Sequence, residues 1–164
     1  MMRHIKKFAA LLLAAICTMM VLTGCVDKAS LYDDTQQIAA GKTAYSATGY
    51  QGSYVMGDGS FDFTASADKL VGAVEAFDID VKNESTLVDF YTTVDTTNGE
   101  FKILLIHADN KQIVAEYIDD TYSDLVLPVG NYKVYLVGKD DAAFNAGISL
   151  YCFGENVSLS LIHI

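Results

Sequence analysis

The 164-residue chain carries 11 basic against 21 acidic residues, with 51% hydrophobic positions, three cysteines and one proline. So acidic a surface repels phosphate backbones and excludes nucleic acid as a partner. The length allows one domain with a genuine core.

The first 22 residues have the layout of an export signal. Arg3, Lys6 and Lys7 precede an apolar run from Phe8 to Leu22, which is shorter than the roughly 20 residues a membrane-spanning helix needs. Positive charge, a short apolar stretch and small residues at its exit read as a secretory leader. Leu22-Thr23-Gly24-Cys25 resembles the lipobox of bacterial lipoproteins. The resemblance implies that the Cys25 thiol receives diacylglycerol. It also implies that a signal peptidase recognises Leu22, Thr23 and Gly24 and cuts before Cys25. The expected location is then the outer face of a cell membrane, with the lipid on Cys25 as the membrane contact.

Cutting there leaves 140 residues with eight basic against 21 acidic side chains, a net charge of −13. Such a surface is repelled by anionic lipid, so the acyl chains must hold the protein at the membrane. Once Cys25 is lipidated, Cys152 is the remaining thiol, and no intrachain disulfide can form. Cys152 is in phase with Ile148 and Leu150, as a buried core thiol would be.

The organisation expected is a signal peptide over 1–24, a lipidated tether and lead-in segment over 25–54, and a β-sandwich domain over 55–164. Within the tether, Ser30 to Ala40 suits a short helix: Leu31 and Ile38 share a face and Gly41 follows as a stop. Gly41 to Gly59 reads as loop or irregular edge strand. From Ser60 the hydrophobic period becomes two. Phe61, Phe63 and Ala65 alternate with polar residues, then Phe77, Ile79 and Val81, then Val88, Phe90 and Val94. Asn98-Gly99 predicts a tight hairpin. Ile103 to Ile106 are four consecutive apolar residues, so that strand should be covered on both faces. Turns are expected at Asp109-Asn110, at Pro128 to Gly130 and at Gly154 to Asn156. About eight or nine strands at this spacing predict an all-β fold, an antiparallel β-sandwich or jelly roll.

Leu127-Pro128-Val129-Gly130-Asn131-Tyr132 looks like the L-x-x-G-x-Y hairpin of bacterial pre-peptidase C-terminal domains and related sandwich modules. The resemblance implies an accessory, non-catalytic module.

Catalytic signals are sparse. No G-x-S-x-G elbow occurs, and the histidines after Cys25 are His107, at a strand end, and His163, next to the terminus. Asp78 and Asp80 share a strand face about 7 Å apart, a separation at which paired carboxylates can hydrolyse glycosides. The simpler reading is the wet face of a half-buried strand. The acidic loops Asp119, Asp120, Asp124 and Asp140, Asp141 are candidates for calcium, which takes six to eight oxygens, although none has the EF-hand spacing. No other cofactor is implied. Tyr45, Tyr50 and Tyr54 are candidates for ligand or partner contact, since tyrosine stacks on sugars and anchors interfaces. The expected function is non-enzymatic binding of an envelope protein, polymer or small ligand. The alternatives are a structural accessory subunit of an envelope complex and a carboxylate-based hydrolase.

Overall fold

The computed structural model describes residues 26–151 and 154–161. The leader, the lipobox with Cys25, and also Cys152 and His163, lie outside the described residues. Two short helices, α1 (Ser30–Asp33) and α2 (Thr35–Ala39), precede eight strands. These are β1 (Tyr45–Thr48), β2 (Gln51–Gly57), β3 (Ser60–Val81), β4 (Thr86–His107), β5 (Gln112–Tyr117), β6 (Thr121–Leu127), β7 (Gly130–Tyr151) and β8 (Val157–Leu161).

The fold is all-β and antiparallel, and its eight strands join in one sheet. Three strands of 22 residues carry that sheet: β3, β4 and β7. β7 lies between the other two and pairs with each along nearly its whole length. All three are irregular at the same level. Register slips between Ala67 and Gly72 on β3, between Thr96 and Glu100 on β4, and opposite Lys139 to Ala142 on β7. Bulges add twist and bend a strand, and three of them in line fold the sheet over. One half runs β2-β3-β7-β4-β6 and the other β8-β3-β7-β4-β5, with β1 on β3 at the fold. A sandwich has two sheets; here one sheet supplies both layers.

The alternation read from the sequence decides which side chains face inward. Phe61, Phe63, Phe77, Phe90, Phe101, Tyr132 and Phe144 fill the space between the halves. Phe101 and Phe144 stack with centroids 3.9 Å apart. Leu104 and Ile106 point the other way and are also buried, so this part of β4 is covered on both faces as expected.

Asn98-Gly99 does not close a hairpin, because β4 runs through it. Gly99 does adopt the left-handed backbone that the dipeptide favours, with φ +68°, and uses it for the bend. The Asn98 amide donates to the carbonyls of Asp140 and Asp141 on β7. Those two aspartates are themselves left-handed, at φ 55° and 54°. A turn signal has been spent on a kink.

The tether is not a free spacer over its described length. α1 and α2 lie on the outer face of the second half. Leu31 is 0% and Ile38 2% exposed, packed with Ala73, Leu104, Ile106, Tyr135 and Val137 in a second apolar cluster that Val26 also joins. Lys102 reaches over the Tyr32 ring at 4.2 Å, and Lys139 pairs with Asp33 at 3.0 Å. The sheet also begins earlier than residue 55, since β1 and β2 are hydrogen-bonded to β3.

Candidate functional site

Among the described residues, no helix or strand packs on the outer face of the first half, which mixes polar residues with exposed Val55, Leu87 and Val126. On it, outward positions from neighbouring strands line up in rows. Ser53, Thr64, Gly147 and Thr93 form one row, and Gln51, Ser66, Asn145 and Asp95 the next. Between them runs a groove of about 590 Å³, with Ala65, Ala146 and Val94 in its floor and Asp120 at its β4 end. Three strand spacings make it about 14 Å long from β2 to β4. Gly147 keeps the middle of the groove open. A Cβ there would stand 2.6 Å from Thr93 Oγ1.

Exposed tyrosines lie on the same face, beyond the residues that line the groove. Tyr91 on β4 is directly opposite Tyr122 on β6, and its other cross-strand neighbour is Ser149. Tyr151, opposite Asp89, is diagonal to Tyr91. The three are 40%, 60% and 42% exposed. Asp62 accepts hydrogen bonds from the hydroxyls of Ser149 and Tyr151, the latter at 3.4 Å. That contact fixes the Tyr151 ring across β7 and β3.

The tyrosines singled out in the sequence do not make this patch. Tyr50 turns inward against the core, and its hydroxyl is buried with no hydrogen-bond partner. Burial, with Tyr45 nearby, pushes its pKa up to about 12. Tyr54 stacks on Phe61 at 6.2 Å and covers an edge of the core, and Tyr45 lies on β1 beside the fold. Tyr91, Tyr122 and Tyr151 were missed because their significance depends on register. They lie far apart in sequence, and only the pairing of β4 with β6 and β7 assembles them.

A second cluster lies on the outer face of the other half. Lys133 bridges Glu75 at 2.6 Å and Asp78 at 3.4 Å, and the Tyr135 hydroxyl donates to Glu75 at 2.9 Å. Burial, then a hydrogen bond with Glu75, raises the Asp78 pKa. Burial acts on Glu75 in the same direction, but hydrogen bonds from Lys133, Asp78 and Tyr135 outweigh it and hold Glu75 below its ordinary value. The expected pair, Asp78 and Asp80, is not the pair that forms. Asp80 sits opposite Asn131 and accepts from Ser158. Period-two counting puts Glu75 and Asp78 on opposite faces; a bulge between Glu75 and Phe77 brings them to the same one. The adjoining cavity, lined by Ile38, Gly41, Ile106, Lys133 and Tyr135 among others, is about 160 Å³. Ligand pockets are usually roughly 300 Å³ or more.

The calcium candidates are dispersed. Asp120 accepts the Val94 backbone N–H at 2.8 Å, Asp141 pairs with Lys69 at 3.0 Å, and Asp124 is on β6 opposite Asp89. The Asp119 carbonyl accepts from Thr92 and Thr121, and Asp140 sits in the β7 bend. Among the described residues, no three of His, Cys, Asp and Glu converge as a metal site needs.

His107 ends β4, with its ring tilted on Tyr132 at 4.6 Å and Nδ1 4.0 Å from an Asp109 carboxylate oxygen. The L-x-x-G-x-Y segment has a structural task here. Leu127 is buried, Gly130 lets the chain pass within a Cβ's radius of His107, and the buried Tyr132 donates its hydroxyl to the Pro128 carbonyl at 2.8 Å. Together they pin the β6–β7 turn.

No protein-family model matches the sequence, and no curated protein does. Among solved structures, the chain is similar to peruvianin-I, a cysteine peptidase from Thevetia peruviana latex, at 13% identity and a TM-score of 0.38, covering 73% of this chain and 74% of that one. It is also similar to CapF crystallised with the inhibitor 3-isopropenyl-tropolone, at 11% identity and a TM-score of 0.38, covering 74% of this chain and 34% of that one. Likeness at this level carries no argument about function.

Proposed function

We propose that the protein is an extracytoplasmic lipoprotein, anchored by diacylglycerol on Cys25, whose non-catalytic sheet binds an envelope polymer through the outer face of its β2-β3-β7-β4-β6 half. The observation that carries the binding role is the groove, with exposed Tyr91 two residues along β4 from its wall residue Thr93 and with Tyr122 and Tyr151 on the same face. Exposed aromatic area beside a hollow of that size marks interaction surfaces more often than bare solvent-facing sheet. The anchor rests on the sequence of the leader. The packing of Val26 and α1–α2 on the opposite half supports the pairing of the two roles, because it brings the anchored end of the chain to the other layer.

The test has two arms. Mass spectrometry of the native protein should find a lipid-modified Cys25 as the first residue; a free thiol or an earlier first residue ends the anchoring proposal. A pull-down against envelope polymers should retain the wild type, and the Tyr91→Ala/Tyr122→Ala double variant should lose it. Equal retention of both proteins ends the binding proposal for this face.

A second reading, a carboxylate hydrolase, draws on Glu75 and Asp78, whose pKa values are pushed apart as an acid and base pair requires. Asp78→Asn should then abolish glycan hydrolysis, and an unchanged product profile rejects that reading.

A further inference from the structure

Resting on the reading that this face binds a polymer, we propose that its ligand is a linear amino-sugar polysaccharide bearing free ammonium groups. Three independent features of the face point to that chemistry.

The first is charge segregation. The strand segments that build this half, over 51–57, 60–68, 87–96, 121–127 and 143–151, contain no lysine or arginine. All eight lysines beyond the leader lie elsewhere, and Lys69, Lys102, Lys133 and Lys139 are engaged in ion pairs. The outward residues of these strands include Asp62, Asp89, Asp95 and Asp124, with Asp120 at the groove. Asp89 and Asp124 are directly opposite one another. A face of one sign of charge draws a cationic ligand. Acidic and phosphorylated polymers are repelled.

The second is the wall chemistry. Gln51, Ser53, Thr64, Ser66, Thr93 and Asn145 line the groove with hydroxyls and amides. These are partners for sugar hydroxyls. A peptide anchors through apolar side chains in pockets, and the floor of Ala65, Ala146 and Val94 offers none that is deep.

The third is the group of exposed tyrosines on the same face, of which Tyr91 is two residues from Thr93 in the groove wall. Tyr91 and Tyr151 offer ring faces for stacking on pyranose rings, and the same faces attract a cation held over them. A neutral glycan gains the stacking and the hydrogen bonds but not the charge pairing.

The full-length protein in detergent is titrated with glucosamine oligomers, with the same oligomers N-acetylated, and with uronic acid oligomers. The free amines are expected to bind about tenfold more tightly than the acetylated form, the sum of a few exposed ion pairs. That advantage should fade as salt rises through the range where surface charges are screened. Asp95→Asn/Asp124→Asn should bring the two sugars to parity while retaining the acetylated one. Tyr91→Ala should weaken both, with circular dichroism confirming an intact sheet. Equal binding of free and acetylated oligomers by the wild type overturns the amine assignment and leaves polymer binding standing. Sugar binding that Tyr91→Ala and Tyr122→Ala leave untouched overturns the face itself. No binding to any of the three sugars overturns this inference, and the pull-down then decides the broader reading separately.

Discussion

Phe61 and Phe77 belong to one strand, sixteen residues apart, and their rings meet edge to face with centroids 4.8 Å apart. A straight strand would separate them by about 53 Å. The contact is therefore a direct measure of how far the sheet has folded on itself. Phe77→Ala should destabilise the protein by about 3–5 kcal/mol, as loss of a buried phenylalanine does. A double-mutant cycle with Phe61→Ala, read by urea denaturation, should return a coupling of about 0.5–1.5 kcal/mol. Additive losses would mean that the two halves do not meet at these rings.

The bend itself is tested at Gly99. Its φ of +68° is unfavourable for any residue with a side chain, and an added Cβ would collide with the carbonyls of Lys139 and Asp140. Gly99→Ala should therefore cost about 1–3 kcal/mol, the usual scale of local backbone strain. A lowered urea midpoint with the secondary structure retained is the expected result. An unchanged midpoint would place the bend elsewhere.

Tyr50→Phe should act in the opposite direction. The hydroxyl is buried without a partner, so removing it relieves roughly 1 kcal/mol of desolvation cost and raises Tm. The same residue contributes to alkaline sensitivity. Its folded pKa, about 12, lies above the ordinary 10.0. The folded state therefore holds the proton more tightly, and its contribution is fully present below pH 10.0 and lost as pH rises through about 12. Burial, then Glu75, raises Tyr135 as well, with the same sign. Stability curves of wild type and Tyr50→Phe should diverge above pH 10.0, with the variant falling less steeply. Parallel curves would show that Tyr50 ionises normally in the fold.

Leu31 and Ile38 hold the segment ahead of the sheet. Replacing both by Asp should release α1 and α2 from Leu104 and Ile106. Limited proteolysis should then cut between Val26 and Lys42 in the variant and spare that stretch in the wild type, while the strands stay protected. Cutting at the same rate in both proteins would make the segment a free spacer after all.

Strand identity was legible because one face of each strand is buried. The period-two runs around Phe61, Phe77 and Phe90 and the apolar run Ile103 to Ile106 all proved to be strands, and the turns at Asp109-Asn110, Pro128 and Gly154 fall where Gly, Asn and Pro placed them. What the residues could not convey was continuity. Asn98-Gly99 has the same backbone preference in a bulge as in a hairpin, and only its contacts with the Asp140 and Asp141 carbonyls decide between them. The docking of Leu31 and Ile38 was hidden for a related reason: their shared face was visible, but the apolar surface that receives it comes from residues about 35 to 105 positions later. The site was least legible. Glu75 joined Asp78 through a bulge, and Tyr91 met Tyr122 through register, neither of which is local.

The central place of β7 has a consequence for the order of assembly. β3 and β4 follow one another in the chain, yet each hydrogen-bonds to β7, and Ser60 waits for Tyr151. A ribosome delivers that keystone after both of its neighbours. Until it arrives, the two longest earlier segments lack their common template, and contacts this distant in sequence close slowly. The two long neighbours thus pair into the sheet only once residues 130–151 have followed both of them out.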